Sequence, residues 1–257
     1  NAGTINIRAG ELLIDGQGSS SNTGIGSNAE QGSLGNAGAV TVSSDGLLSV
    51  LNGGEISSST FALGNAGTIN IDAGELLIDD QGSEGITSIA SSSENEQSGS
   101  VGSVIVAALN GITLHNGGSL SISSSSTTEQ ANSDHLQQIK VTAPAITISS
   151  NSEISAAATG THDASEIEVN SDFLFLTDDS RINTSANDGD GGAITLNTAN
   201  YIVLEDSQIT TSVEGFLGNG GDININTPIL IMNGGFIQAN TKASHASGGD
   251  INLAIEQ

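Results

Sequence analysis

A short apolar pair with one residue between its members recurs nine times along the chain: Ile5/Ile7, Val40/Val42, Ile69/Ile71, Val104/Val106, Ile139/Val141, Ile167/Val169, Ile194/Leu196, Ile223/Ile225 and Ile251/Leu253. Successive pairs stand 35, 29, 35, 35, 28, 27, 29 and 28 residues apart, and a period in that range marks a stacked repeat. In TINI, VTV, VIV, IEV and DINI apolar and polar residues alternate, which is the period of a half-buried strand and not of a helix. A second alternating run begins seven or eight residues later, at Leu12/Ile14, Leu48/Val50, Leu76/Ile78, Ile112/Leu114, Ile146/Ile148, Leu174/Leu176, Ile202/Leu204 and Leu230/Met232. A third follows five or six residues on, at Ile56, Leu120, Ile154, Ile182, Ile209 and Ile237. The next inward position in that third run is mostly small (Ser58, Ala156, Thr184, Thr211, Ala239), so one corner of the cross-section is expected to be narrow.

Three strands per turn, repeated in register, predict an all-β fold: a right-handed parallel β-helix of about nine turns, with residues 1–257 forming a single repeat domain. Rungs roughly 4.8 Å apart would give a rod of roughly 40 Å. LNGG at 51–54, HNGG at 115–118, TDD at 177–179, EDS at 205–207 and NGG at 233–235 supply the residues that a tight corner between the second and third strands needs. Variation in length is expected between the third strand and the next first strand, where serine-rich stretches such as 122–134 bulge out. Neither terminus has an atypical capping unit, so the chain reads as a fragment of a longer array.

Charge narrows the range of partners. Against 29 acidic residues stand four cations (Arg8, Lys140, Arg181, Lys242), a net charge of -25 that repels nucleic acid and an anionic bilayer. No apolar run approaches the length of a membrane span, which argues against direct membrane insertion. With 34 glycines and 2% aromatic residues the core must be long and thin. The chain has no cysteine, so no disulfide framework and no thiolate enters the argument.

GNAG at 35–38, GNAGTINIDAGELLIDDQGS at 64–83 and GNGGDININ at 218–226 resemble the repeats of filamentous-haemagglutinin-type large exoproteins, adhesins exported by two-partner secretion. The resemblance implies a right-handed β-helical shaft, exported through an outer-membrane transporter and displayed at the bacterial cell surface or released outside it. It transfers no activity residues, since the shaft repeats of that family carry none. The NPNG-type signature of the family's secretion domain is missing: the two prolines are Pro144 and Pro228, in TAPAI and NTPIL.

Reactive chemistry is thinly represented. Many β-helices cleave acidic polysaccharides, and carboxylates do stand in turns here (Asp178, Asp179, Asp206, Asp188, Asp190), but the four cations are scattered over different turns and an anionic substrate would be repelled. A carbohydrate-active β-helix acting on extracellular glycan is the alternative to the preferred reading, a non-enzymatic structural or adhesive shaft that mediates attachment or fibre assembly. Asp178 and Asp206, expected one turn apart, are a conceivable calcium pair, yet DGDGG lacks the longer ligand series of an EF-hand loop, and neither a metal nor a cofactor is expected. His115, His135, His162 and His245 have no paired ligand spacing and read as solvated side chains. The outward first-strand positions do not form an ice-binding threonine ladder, because charges interrupt them in mid-rod. The outward third-strand positions, Ser57, Ser121, Ser155, Asn183 and Thr210 among them, form the better polar surface, one suited to glycan.

Two expectations concern the outward positions. Lys140 and Glu168 occupy equivalent first-strand sites in successive turns and should pair. On the second strand the outward residues lose polarity toward the carboxyl end, where Phe173, Phe175, Tyr201, Val203, Ile229 and Ile231 form six consecutive apolar sites. An exposed apolar patch of this kind marks an interaction site, for self-association or for another part of the parent chain.

Overall fold

The computed structural model describes all residues except 18, 20–22, 84, 128–136, 245, 256 and 257. The fold is all-β, a parallel β-helix of two sheets, one of 11 strands and one of 8, in which strands pair with their equivalents one turn away. No helix occurs among the described residues. Nine first-side rungs follow one another as the repeat predicts, with Ile5 beside Val40, Val40 beside Ile69, and so on through Ile194 beside Ile223 and Ile223 beside Ile251.

The three expected runs per turn are present, but the first two are not separate strands in most turns. Val40–Leu51, Ile69–Asp79, Val104–His115, Gln138–Ile148, Glu166–Leu176 and Ile194–Glu205 each run unbroken through a bend, so first and second sides share one sheet. The bend is taken by local register shifts, for example between Ser44 and Leu47 and between Thr142 and Ile146. Pro144 sits inside that second shift, where its missing N–H removes no ladder bond. In the next-to-last turn the strand is split at Pro228, between Ile223–Thr227 and Ile229–Asn233.

The third-side strands form the second sheet, where the sequence reading passed over two rungs. Ile25 stands beside Ile56 and Ile56 beside Ile89, in strands Thr23–Gly26 and Ser88–Ser93. Both were hidden by longer corners: Ile14 to Ile25 and Ile78 to Ile89 span eleven residues, where Val50 to Ile56 spans six. Variation in length is therefore not confined to the segment after the third strand, and the tight corner absorbs five extra residues in two turns. Of the serine-rich stretch at 122–134, residues 122–124 do not bulge but end the third-side strand Ser119–Ser124, with Ile122 buried in the core, and residues 128–134 lie outside the described residues.

Inward Ile, Leu and Val of the three sides make one axial core; Val40, Ile69, Leu76, Ile139, Ile194 and Ile202 are all fully buried. The tight corner bends through left-handed backbone, paired as Asn52–Gly53, Asn116–Gly117, Ser150–Asn151 and Asp178–Asp179. Asn and Asp tolerate that region because their short polar side chains bond locally, and Gly because it has no Cβ.

The GNAG and GNGG motifs have a mechanical explanation. The Asn or Asp side chain accepts the backbone N–H of the equivalent residue one turn on: Asn36 N to Asn1 Oδ1 at 2.8 Å, Asn65 N to Asn36 Oδ1 at 2.9 Å, Asn219 N to Asp190 Oδ1 at 2.7 Å. The glycine two residues further lies so close to the turn below that a Cβ on Gly67 would overlap the Gly38 carbonyl oxygen, and one on Gly221 that of Gly192. Those carbonyls accept bonds from the small inward residues of the narrow corner. Ser58 Oγ donates to Gly38 O, Ser91 Oγ to Gly67 O at 3.0 Å, and Thr184 and Thr211 to Gly192 O and Gly221 O, each at 2.5 Å. A buried hydroxyl is stable there because its partner is built in.

Candidate functional site

The second-side register sets Phe173 beside Tyr201 and Tyr201 beside Ile229 in one column, and Phe175, Val203 and Ile231 in the next. All six sequence-predicted residues are thus brought together on one outward face, two abreast over three rungs. Their ladder bonds fix the backbone, and the inward neighbours Leu174, Leu176, Ile202 and Leu204 are fully buried, which anchors the face to the core. Tyr201 is the centre of the cluster: its ring lies 4.8 Å from that of Phe173, tilted by 59°, and 5.6 Å from that of Phe175, edge-on at 84°. These are favourable aromatic geometries, and the three rings do not form a coplanar platform. Phe173, Phe175, Tyr201 and Val203 are half-buried, whereas Ile229 and Ile231 lie in the last second-side strand among the described residues and are exposed together with their inward neighbour Met232, since no further strand stacks on them here.

The corners beside the patch are short. Leu176 to Ile182 spans six residues and Leu204 to Ile209 five, with none of the extra residues found in the corners before Ile25 and Ile89. At the opposite end of the same face Leu13 and Leu47 are also exposed, Leu47 in one column between Glu11 and Glu75 and Leu13 in the other beside Ser49. This second, smaller apolar zone drew no separate expectation, because single leucines beside polar neighbours give no sequence signal.

Of the carboxylates weighed for catalysis or calcium, those of Asp188 and Asp190 bond backbone N–H groups one turn on: Asp188 Oδ1 accepts the N–H of Phe216 at 2.8 Å, and Asp190 Oδ1 that of Asn219. Asp178 and Asp206 do lie at the same corner of successive turns, since Asp179 N donates to Asp206 O at 2.9 Å, and all three of these aspartates have left-handed backbone. No group of three or more His, Asp or Glu side chains capable of holding a metal occurs among the described residues.

The histidines are not simply solvated. His115 Nδ1 lies 2.8 Å from Ser149 Oγ across one turn, and His162 is buried, with 7% of its surface exposed. Burial arises because His162 falls in the segment that packs under the following turn, where Asp163 Oδ1 accepts the N–H of Asp190. His135 and His245 lie outside the described residues.

On the other sides, polar side chains bond one another between turns. The first side carries Asn252 Nδ2 to Asn224 Oδ1 and Asn197 Nδ2 to Asn170 Oδ1, both at 3.0 Å, with Lys140, Glu166 and Glu168 between them and the other end. On the third side Asn183 Nδ2 donates to Ser155 Oγ at 3.2 Å, but Ser57 and Ser59, expected on that polar surface, are buried, with Ser92 Oγ donating to Ser59 Oγ at 2.9 Å. Three of the four cations join glutamates one turn away: Lys140 to Glu168 at 2.9 Å, Arg181 to Glu153 at 2.8 Å, and Lys242 to Glu214. The chain matches no protein-family model, no curated protein and no solved structure.

Proposed function

We propose that this chain is a structural and adhesive shaft segment of a secreted or cell-surface bacterial exoprotein, exported through an outer-membrane transporter and acting in attachment or fibre assembly without catalysis. The observation that supports this reading is the apolar face of Phe173, Phe175, Tyr201, Val203, Ile229 and Ile231, held two abreast by the strand register of the rod. In a chain of net charge -25 that face carries no charge, so it is the part of the surface where a second rod, or another part of the parent chain, meets least electrostatic resistance. Sedimentation velocity at rising concentration tests it. Native chain should associate, and Phe175→Asp combined with Ile231→Asp should remain monomeric while keeping its strand signal in circular dichroism. A native chain that stays monomeric at high concentration overturns the self-association form of the proposal.

A further inference from the structure

First and second sides meet at the bend, and a groove follows that bend along the rod. Two hollows of about 390 and 530 Å³ share Ala108, Leu109 and Thr142, so they form one depression from Ser43 to Ala199. A third, of about 870 Å³, shares Ser43, Asp45 and Asp72 with the first and extends the groove to Arg8. Register explains the continuity, because Ser43, Asp72, Ala107, Thr142, Asn170 and Asn197 are equivalent residues of successive turns. At roughly 4.8 Å per rung the column from Arg8 to Asn197 is roughly 30 Å long. That length fits a polymer rather than a small molecule.

The lining selects the class of polymer. Backbone groups of these rungs are paired with the turns above and below, so a peptide would find no sheet edge to extend. Asp45, Asp72 and Asp172 stand exposed along the groove and repel uronates, sulfates and phosphates. What remains is a line of hydroxyl, amide and carboxylate groups from Ser43, Asp72, Thr142, Asn170 and Asn197, which exchange hydrogen bonds with alcohols. Midway, Leu109 is 78% exposed and offers an apolar contact of the kind that the C–H face of a sugar ring takes up. We propose that this groove binds an extended run of neutral polysaccharide. The inference deepens the attachment half of the function proposed above and rests on it, but it does not depend on the apolar second-side face.

Affinity electrophoresis of the whole chain through gels containing dextran, mannan or xylan, with alginate as the anionic comparison, tests this. At least one neutral polymer should retard the native chain, and alginate should not. Thr142→Trp, which fills the groove from an exposed position, and Leu109→Asp should each weaken retardation by about tenfold or more, with unchanged circular dichroism. Phe175→Asp, on the second side, should leave it unaltered. Three outcomes overturn the groove assignment: no retardation by any neutral polymer, retardation by alginate alone, or neutral-polymer binding indifferent to Thr142→Trp and Leu109→Asp. Antibody labelling of intact producer cells separates the two readings, since a chain confined inside the cell overturns the exported-shaft proposal whatever the gels show.

Discussion

Lys140 Nζ lies 2.9 Å from Glu168 Oε2, one turn away on the first side, with Asn170 Nδ2 on the other carboxylate oxygen at 2.8 Å. The hydrogen bond from Lys140, followed by that from Asn170, holds the Glu168 carboxyl below its ordinary range. Both side chains are about a third exposed, so solvent screens the pair and its net worth is about 0.2–1 kcal/mol. A double-mutant cycle of Lys140→Ala and Glu168→Ala should return a coupling of that size, smaller in high salt. Because the folded carboxyl is the stronger acid, this stabilisation is present above the ordinary carboxylate pKa and disappears as pH falls through the lowered one.

Glu55 carries the opposite shift. Burial raises its pKa, a hydrogen bond with Ser57 offsetting part of the effect. Its contribution to stability is most favourable below the ordinary carboxylate range and is lost as pH rises through the raised value. Glu55→Gln should therefore be more stable than the native chain at neutral pH, and the difference should close in acid. Urea unfolding at several pH values measures this, and a difference that widens in acid would contradict it.

Ile194 is fully buried between Ile167 and Ile223 in the first-side column. Removing its side chain leaves a hole bounded by both neighbouring turns, and Ile194→Ala should cost about 2–4 kcal/mol. Equilibrium denaturation reads the loss directly, and a change under about half a kcal/mol would place Ile194 outside the packed column.

Gly67 and Gly111 both lie within the rod, yet differ in what a methyl group would meet. One on Gly67 overlaps the Gly38 carbonyl oxygen and Ser58 Oγ, whereas one on Gly111 meets the Ala145 carbonyl oxygen at 3.4 Å, an ordinary contact. Gly67→Ala should cost about 1–3 kcal/mol as a steric overlap with backbone, and Gly111→Ala should be close to neutral. Equal melting temperatures for the two variants would refute the stacking explanation of the motif.

Period and alternation were enough to place every first-side and second-side rung, because each rung needs two inward apolar residues and the corners between them are short. Ile25 and Ile89 were lost where a corner lengthened, and nothing in SIASSS distinguishes a strand with small inward residues from a serine-rich loop. The amide ladder from Asn1 through Asn36 to Asn65 was visible only as a repeated GNAG, since its bonds run between turns and no local pattern encodes a contact 29 or 35 residues away. All six apolar outward residues were legible, since alternation fixes which face each one takes. The axial groove was not, since it is made by small residues at a bend and by the register shifts that turn the chain there.

Pairing every strand with its equivalent one turn away also determines how this rod would respond to tension. Ladder bonds lie along the axis, so a pull on the two ends loads one rung at a time instead of shearing a whole sheet at once. A turn of about 28 residues holds roughly 95 Å of extended chain at about 3.4 Å per residue, against a single rung of the intact rod. Stretched, the molecule would lengthen in large, separate increments at modest force, each turn that peels away leaving the next still folded.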